Sequence, residues 1–461
     1  MAAAKLRTAA AIAIATAVPA AGAVLPLRRH RAFLTVRLRG SSCRIPPQRG
    51  GAAAAMSSSA RAEHEAGAWY AVPGLSLRDH RFAVPLDHSS PDGGDAITVF
   101  AREVVAAGKE ETSLPYLLYL QGGPGFESPR PMEAGGWLKK ACEDHRVVLL
   151  DQRGTGLSTP LTPSSLSQIT SPAKQVEYLK HFRADNIVKD AEFIRLRLVP
   201  DAKPWTVLGQ SYGGFCAVTY LSFAPEGLKS VLLTGGLPPL GEPCTAQTVY
   251  RACFKQVQQQ NGKYYKRYPQ DIPVVHEVVR YLSESEGGGV SQFLQLERVW
   301  DPVLVPGAKR SISYYFLKEG SSSKWSAEKI RAEYESLFDP VKATEEGRAV
   351  YFTGEMVFPC MFDEIHALRD LKEAAHLLAE KEDWPPLYDV SKLNNNKVPV
   401  AAAVYYEDMY VNFNIAKETA SQIAGIRLWV TNEYMHSGIR DGGSHVFEHL
   451  MGLLNGKKPL F

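Results

Sequence analysis

The stretch Leu208-Gly209-Gln210-Ser211-Tyr212-Gly213-Gly214 constrains this chain more than any other. It follows the apolar run Trp205-Thr206-Val207-Leu208 and precedes a helix-like one containing Phe215, Ala217, Val218, Tyr220 and Leu221. A strand, a sharp turn and a helix form the context in which G-x-S-x-G becomes a nucleophile elbow. Nearly side-chain-free neighbours at Gly209 and Gly213 let the backbone fold back, and the serine takes the strained position. Its Oγ then stands above the sheet, at the N-terminus of a helix whose dipole favours developing negative charge. Alone the pattern is weak, because Gly-Ser turns are common punctuation. The rest of the chain has to support it.

The flanking runs set the fold class. Leu75–Leu86 and Ala96–Val105 read as paired strands. Short apolar runs then end in Gly-rich or polar loops: Pro115–Leu120 before Gln121-Gly122-Gly123-Pro124-Gly125, Arg146–Leu150 before Asp151-Gln152-Arg153-Gly154, and Ser230–Thr234 before Gly235-Gly236. Strands without polar alternation are buried on both faces, as in a parallel sheet covered by helices. Gln175–Leu198 carries helical periodicity. From 241 to 396 the buried-strand runs vanish, and charged segments of helical spacing replace them: Thr245–Gln259, Val274–Ser285, Ala327–Leu337 and Asp363–Lys381. The sheet pattern resumes at Val398–Tyr406, continues at Ile426–Val430 and closes with an amphipathic helix, Gly443–Leu454. The expected architecture is α/β with a mostly parallel central sheet. Its core is split into 66–240 and 397–461 around an inserted, mainly helical cap at 241–396.

Charge is informative only when divided. The whole chain has 461 residues and a formal net charge of +3. Residues 1–62 hold one Lys and nine Arg and no acidic residue, leaving 42 basic against 49 acidic residues in the body, about −7. An acidic body argues against nucleic-acid binding. The acid-free, Ala-, Arg- and Ser-rich segment reads as a transit peptide, with the chloroplast or the mitochondrion as destination. A secretory signal is the rival reading, from Lys5 and Arg7, apolar Ala9–Val18 and the small residues Ala20–Ala23, but the Arg cluster extends past any such cleavage site. Pro19 and Pro26 interrupt a membrane anchor, and a start at Met56 would give a cytosolic form. Of the six cysteines, Cys43 lies in this segment and the other five are scattered, without disulfide or metal spacing. They read as reduced, mostly buried thiols.

A serine hydroxyl needs a base, and the base needs an orienting carboxylate. In α/β-hydrolases these follow in the order Ser, Asp, His. Asp408 falls just past the strand ending Tyr405-Tyr406, and His436 just past the next strand. Glu407 is the substitute if Asp408 points away. His445 and His449 compete with His436, but their i, i+4 spacing inside the closing helix suits a surface pair, and no third metal ligand accompanies them. The oxyanion hole needs two backbone N–H donors, each worth roughly 10²–10³ in turnover. Tyr212 follows the nucleophile, and Gly123 lies in the early glycine loop.

Taken together, Gln121-Gly122-Gly123-Pro124-Gly125, Asp151-Gln152-Arg153-Gly154-Thr155-Gly156-Leu157-Ser158 and Gly209-Gln210-Ser211-Tyr212-Gly213-Gly214 resemble the proline iminopeptidase (prolyl aminopeptidase) family. These are α/β-hydrolase serine peptidases that remove N-terminal proline from peptides. The resemblance covers roughly 70–240 and 396–461 and extends into Thr353-Gly354-Glu355-Met356-Val357-Phe358-Pro359. One departure is Gln121, where the family usually has His. The resemblance implies that a cap glutamate receives the substrate's free α-amino group. Glu355 matches, flanked by Tyr351, Phe352, Phe358 and Phe362, and Glu364 is its rival. A serine exopeptidase acting on peptides with a free N-terminus, without metal or cofactor and without a nucleic-acid or membrane partner, is the expected function. A carboxylesterase for small esters and a noncatalytic ligand-binding protein of the same fold are the alternatives.

Overall fold

The strands arrange themselves by how much of each face the sequence can bury. In the computed structural model the described residues are 63–91, 94–240, 245–284, 322–334, 336–354, 356–364 and 366–458. The presequence expected over 1–62 lies outside them. Nine strands form one sheet in the order β1-β2-β3-β5-β4-β6-β7-β8-β9. The first three, β1 (His64–Val72), β2 (Leu75–Pro85) and β3 (Ala96–Ala106), pair antiparallel with one another, and β3 runs antiparallel to β5. From β5 (Arg146–Leu150) through β4 (Tyr116–Leu120), β6 (Trp205–Gln210), β7 (Leu228–Thr234), β8 (Val400–Tyr405) and β9 (Ile426–Thr431) the pairing is parallel. β5 and β8 are buried along their whole length. Uninterrupted burial is what a parallel strand with helices on both faces requires.

Helices α1 (Gly136–Asp144) and α5 (Gly443–Leu454) cover one face, placing Trp137, Leu138, Phe447 and Leu450 against Leu117, Leu149 and Ala403. Helices α2 (Ala184–Leu198) and α3 (Tyr212–Phe223) belong to the opposite core, with Ile187, Ile194, Val218 and Leu221 packed among Leu118, Val148 and Val231. The described residues between β7 and β8 form helices and no strand. Chief among these helices is α4 (Ala246–Arg267), which has its own cluster around Phe254, Ile330, Phe338 and Phe358.

Three details depart from the expected elements. Strand β1 precedes the expected strand pair; as an edge strand it leaves six of its nine residues exposed and shows no apolar run. The helix expected over Gln175–Leu198 breaks at Lys180–Phe182, where the extended Arg183 carries its guanidinium to the Pro385 carbonyl, 2.7 Å away. Helix α4 runs past Gln259 through Asn261-Gly262, an ordinary stop signal; the Asn261 amide donates to the Val257 carbonyl of its own helix and to the Phe352 carbonyl.

The D-Q-R-G segment acts as a staple beneath these loops. Asp151 is fully buried; its carboxylate accepts from the Ser128 and Leu157 backbone N–H groups and pairs with Arg130. Arg153 is buried too. It binds Asp190 through both carboxylate oxygens at 2.6 and 2.7 Å, and donates to the Pro85, Leu86 and His181 carbonyls. The described cysteines Cys142, Cys216, Cys253 and Cys360 are unpaired with one another, and burial pushes the Cys253 thiol up to about 12.

Candidate active site

Ser211 sits between β6 and α3 with φ 52° and ψ −120°, a backbone conformation that costs an L-residue of order 1–3 kcal/mol. Its surroundings impose it. The Ser211 N–H donates to the Thr234 carbonyl at 3.0 Å, and the Ser211 carbonyl accepts from Gly214 N–H at 2.8 Å. A Cβ on Gly213 would collide with the Leu120 carbonyl, so only glycine lets α3 start this close to β4.

His436 and Asp408 arrive from the loops after β9 and β8, at the same edge of the sheet. The Ser211 hydroxyl lies 2.8 Å from His436 Nε2, and His436 Nδ1 lies 2.7 Å from Asp408 Oδ2. The network assigns the tautomer: Nδ1–H donates to the carboxylate, and Nε2 is left to accept from Oγ–H. Asp408 is buried, and its other oxygen accepts the N–H groups of Tyr410 (2.8 Å) and Val411 (3.0 Å). Three hydrogen bonds thus hold the carboxylate, which fixes the plane in which it meets the imidazole.

Glu407 faces the other way, to an ion pair with Lys263, whose hydrogen bond holds its carboxyl below the ordinary range. His445 meets Tyr434 Oη at 3.1 Å, and His449 stacks on Trp429 with centroids 3.9 Å apart. Both therefore pack in α5, away from Ser211. Among the described residues no cluster of His, Cys, Asp and Glu is placed to hold a metal, and no helix is long and apolar enough to cross a membrane.

The glycine loop comes to the serine. A Cβ on Gly122 would lie 2.9 Å from Ser211 Cβ and overlap the Gln210 side chain, and Gly123 has φ 126°, which favours glycine. Tyr212, the other expected donor, opens α3. The Gln121 side chain turns back into the sheet, where its Oε1 accepts from Tyr119 Oη at 2.8 Å. Its carbonyl accepts from Gln152 Nε2 at 2.9 Å. Gln152 is thus a support of this loop that the sequence reading missed, although it stands within a quoted motif.

Tyr410 was missed as well. Its ring packs 4.8 Å from that of His436, and a Cβ on Gly354 would be 3.7 Å from it. The only signal was its position two residues beyond Asp408. Glu355, the expected amine receptor, lies outside the described residues, although its neighbour Gly354 is at this ring.

A family model described as alpha/beta hydrolase fold matches residues 115–291. A proline iminopeptidase from Aeromonas sobria is 42% identical over 424 residues, covering 83% of this chain and 98% of that protein. The chain belongs to the proline iminopeptidase family. A second relative, proline iminopeptidase aneH of Aspergillus aculeatus, is 36% identical over 424 residues, covering 81% of this chain and 92% of its own. Membership agrees with the three motifs that suggested it, and makes this chain a serine hydrolase of the aminopeptidase kind with the α/β-hydrolase fold.

Proposed function

We propose that this protein releases N-terminal proline from peptides through an acyl-enzyme, with Ser211 as nucleophile. The observation that carries the reading is the hydrogen-bonded series Ser211–His436–Asp408 at 2.8 and 2.7 Å. As Ser211 Oγ attacks the carbonyl carbon of the N-terminal residue, its proton passes to His436 Nε2, and Asp408 stabilises the imidazolium. The carbonyl oxygen takes the negative charge and is held by the Tyr212 and Gly123 N–H groups. Collapse breaks the C–N bond. His436 gives its proton to the departing amine, and water then repeats the sequence on the acyl-serine.

The inserted segment, 241–396, acts as a cap over this edge of the sheet. Glu355 receives the substrate's ammonium, since a carboxylate screened from water pairs strongly with a cation, while apolar neighbours accept a ring. The position of Gly354 beside Tyr410 favours Glu355 over Glu364. Residues 1–62 deliver the chain to the chloroplast, a reading supported by their acid-free, Arg-rich composition. A fluorescent protein fused behind them should accumulate there, and uniform cytosolic signal would count against it.

The deciding experiment compares prolyl, alanyl and amine-blocked prolyl amides with simple esters. Free prolyl amide should be the best substrate, blocking the amine should abolish turnover, and Glu355→Gln should raise KM for the free amide. Equal hydrolysis of blocked and free substrates would favour an esterase instead. Ser211→Ala should remove activity entirely without changing the fold.

A further inference from the structure

Helix α4 touches two segments of the site at once. Along one face Cys253, Gln256, Gln260 and Lys263 recur at spacings of three, four and three residues, which share one side of a helix. All four meet the loop that carries Asp408. Cys253 Sγ lies 3.6 Å from the Tyr410 carbonyl oxygen. Gln256 Nε2 is 3.3 Å and Gln260 Nε2 3.5 Å from the Glu407 carbonyl oxygen, and Lys263 pairs with the Glu407 carboxylate. On the adjacent face Asn261 exchanges two hydrogen bonds, both 2.9 Å, with the backbone of Phe352. Tyr265 Oη donates to the Val350 carbonyl at 2.8 Å. The segment so held ends at Gly354 against Tyr410, and Tyr410 packs on His436.

We propose that α4 is a positioning element for the reaction. Its Gln256–Gln260–Lys263 face sets the Asp408 loop against His436, and its Asn261–Tyr265 face sets the strap leading into Glu355. Capture of the amine and orientation of the base are thereby tied to one rigid rod. The inference rests on the proposed roles of Ser211, His436 and Asp408, and for the strap on that of Glu355. None of these α4 residues touches the reacting atoms; they act through Asp408 and the strap.

Magnitudes make the proposal distinguishable from ordinary packing. The glutamine contacts are long and the Lys263–Glu407 pair is partly exposed, so each contributes little to stability. Rate is far more sensitive to position, since a displacement of about 1 Å can cost roughly a hundredfold. Removing this face should therefore slow turnover much more than it destabilises the protein.

The test is prolyl-amide kinetics on the full chain. The variant Gln256→Ala/Gln260→Ala/Lys263→Ala should lose about ten- to a hundredfold in kcat with KM within about twofold. Asn261→Ala should chiefly raise KM, and Lys263→Arg should retain near-parental kcat. Should the triple variant fail to fold, Glu407→Ala leaves α4 intact and serves instead, and its loss should be non-additive with Lys263→Ala. Parental kcat in the triple variant, or strictly additive losses in that cycle, would overturn the proposal while Ser211→Ala remains inactive. Activity retained by Ser211→Ala would instead remove the catalytic reading on which it rests.

Discussion

Ser211 combines a chemical role with a conformation that its side chain resists. At φ 52° and ψ −120° a Cβ is a liability, and glycine is the residue best suited to the site. Ser211→Gly should therefore be as inactive as Ser211→Ala yet more stable by about 1 kcal/mol, read as a higher melting temperature. Equal melting temperatures would mean that the turn is relaxed. Gln121 makes a related point in the oxyanion loop. Where the family usually has His, this chain has an amide that does not titrate. Its partner Tyr119 is fully enclosed, and burial pushes the phenol well above its ordinary range. Neither group exchanges a proton near neutrality, so the support of this loop is insensitive to pH there.

Among the elements, the antiparallel edge is one source of acid sensitivity. His64 of β1 meets His80 of β2 at 3.0 Å, His80 meets Glu103 of β3 at 3.1 Å, and Arg146 of β5 reaches Glu103 at 2.7 Å. Burial first, then the neighbouring His80, Arg78 and Arg197, lower the His64 pKa from 6.5. For Glu103, burial alone would raise the carboxyl, but hydrogen bonds from His80 and Arg146 outweigh it and hold it below 4.5. Both groups thus bind a proton less readily folded than unfolded, so each contributes stability that is lost as pH falls. His64 contributes to a first loss, below its unfolded value of 6.5, as do His145, His181 and His449, which burial also lowers from 6.5, and Glu103 contributes to a later one, below 4.5. The melting temperature should fall as pH drops below about 6.5, and His64→Phe, which keeps the stack on Phe82, should lessen that fall. An unchanged slope would place the sensitivity elsewhere.

At the scale of the whole molecule, Arg153 and Asp190 tie α2 to the end of β2, with side chains 0% and 1% exposed. Arg153→Ala would strand a buried carboxylate and should cost about 3–5 kcal/mol in chemical denaturation. A loss near zero would show that His88, 2.8 Å from Asp190, suffices. Much of this architecture was legible because parallel strands announce themselves: Leu117–Leu120, Val147–Leu150 and Val400–Tyr405 are apolar throughout, as two-sided burial demands. The order of Ser211, Asp408 and His436 was legible because each falls in the loop after a strand, β6, β8 and β9 in turn. β1 was not, because most of its residues are exposed and they include Gly67. The contacts of Gln256, Gln260 and Lys263 were not either; a polar helix face looks alike whether it meets water or a loop some 150 positions away in sequence. One consequence follows from that order of parts. β7 joins β8 in register, Val231 opposite Val400, only after the long insert has been made. The nucleophile thus leaves the ribosome far ahead of its acid and its base. A nascent chain carrying Ser211 without His436 is chemically silent, so this peptidase stays inert through most of its own synthesis and needs no inhibitor for that interval.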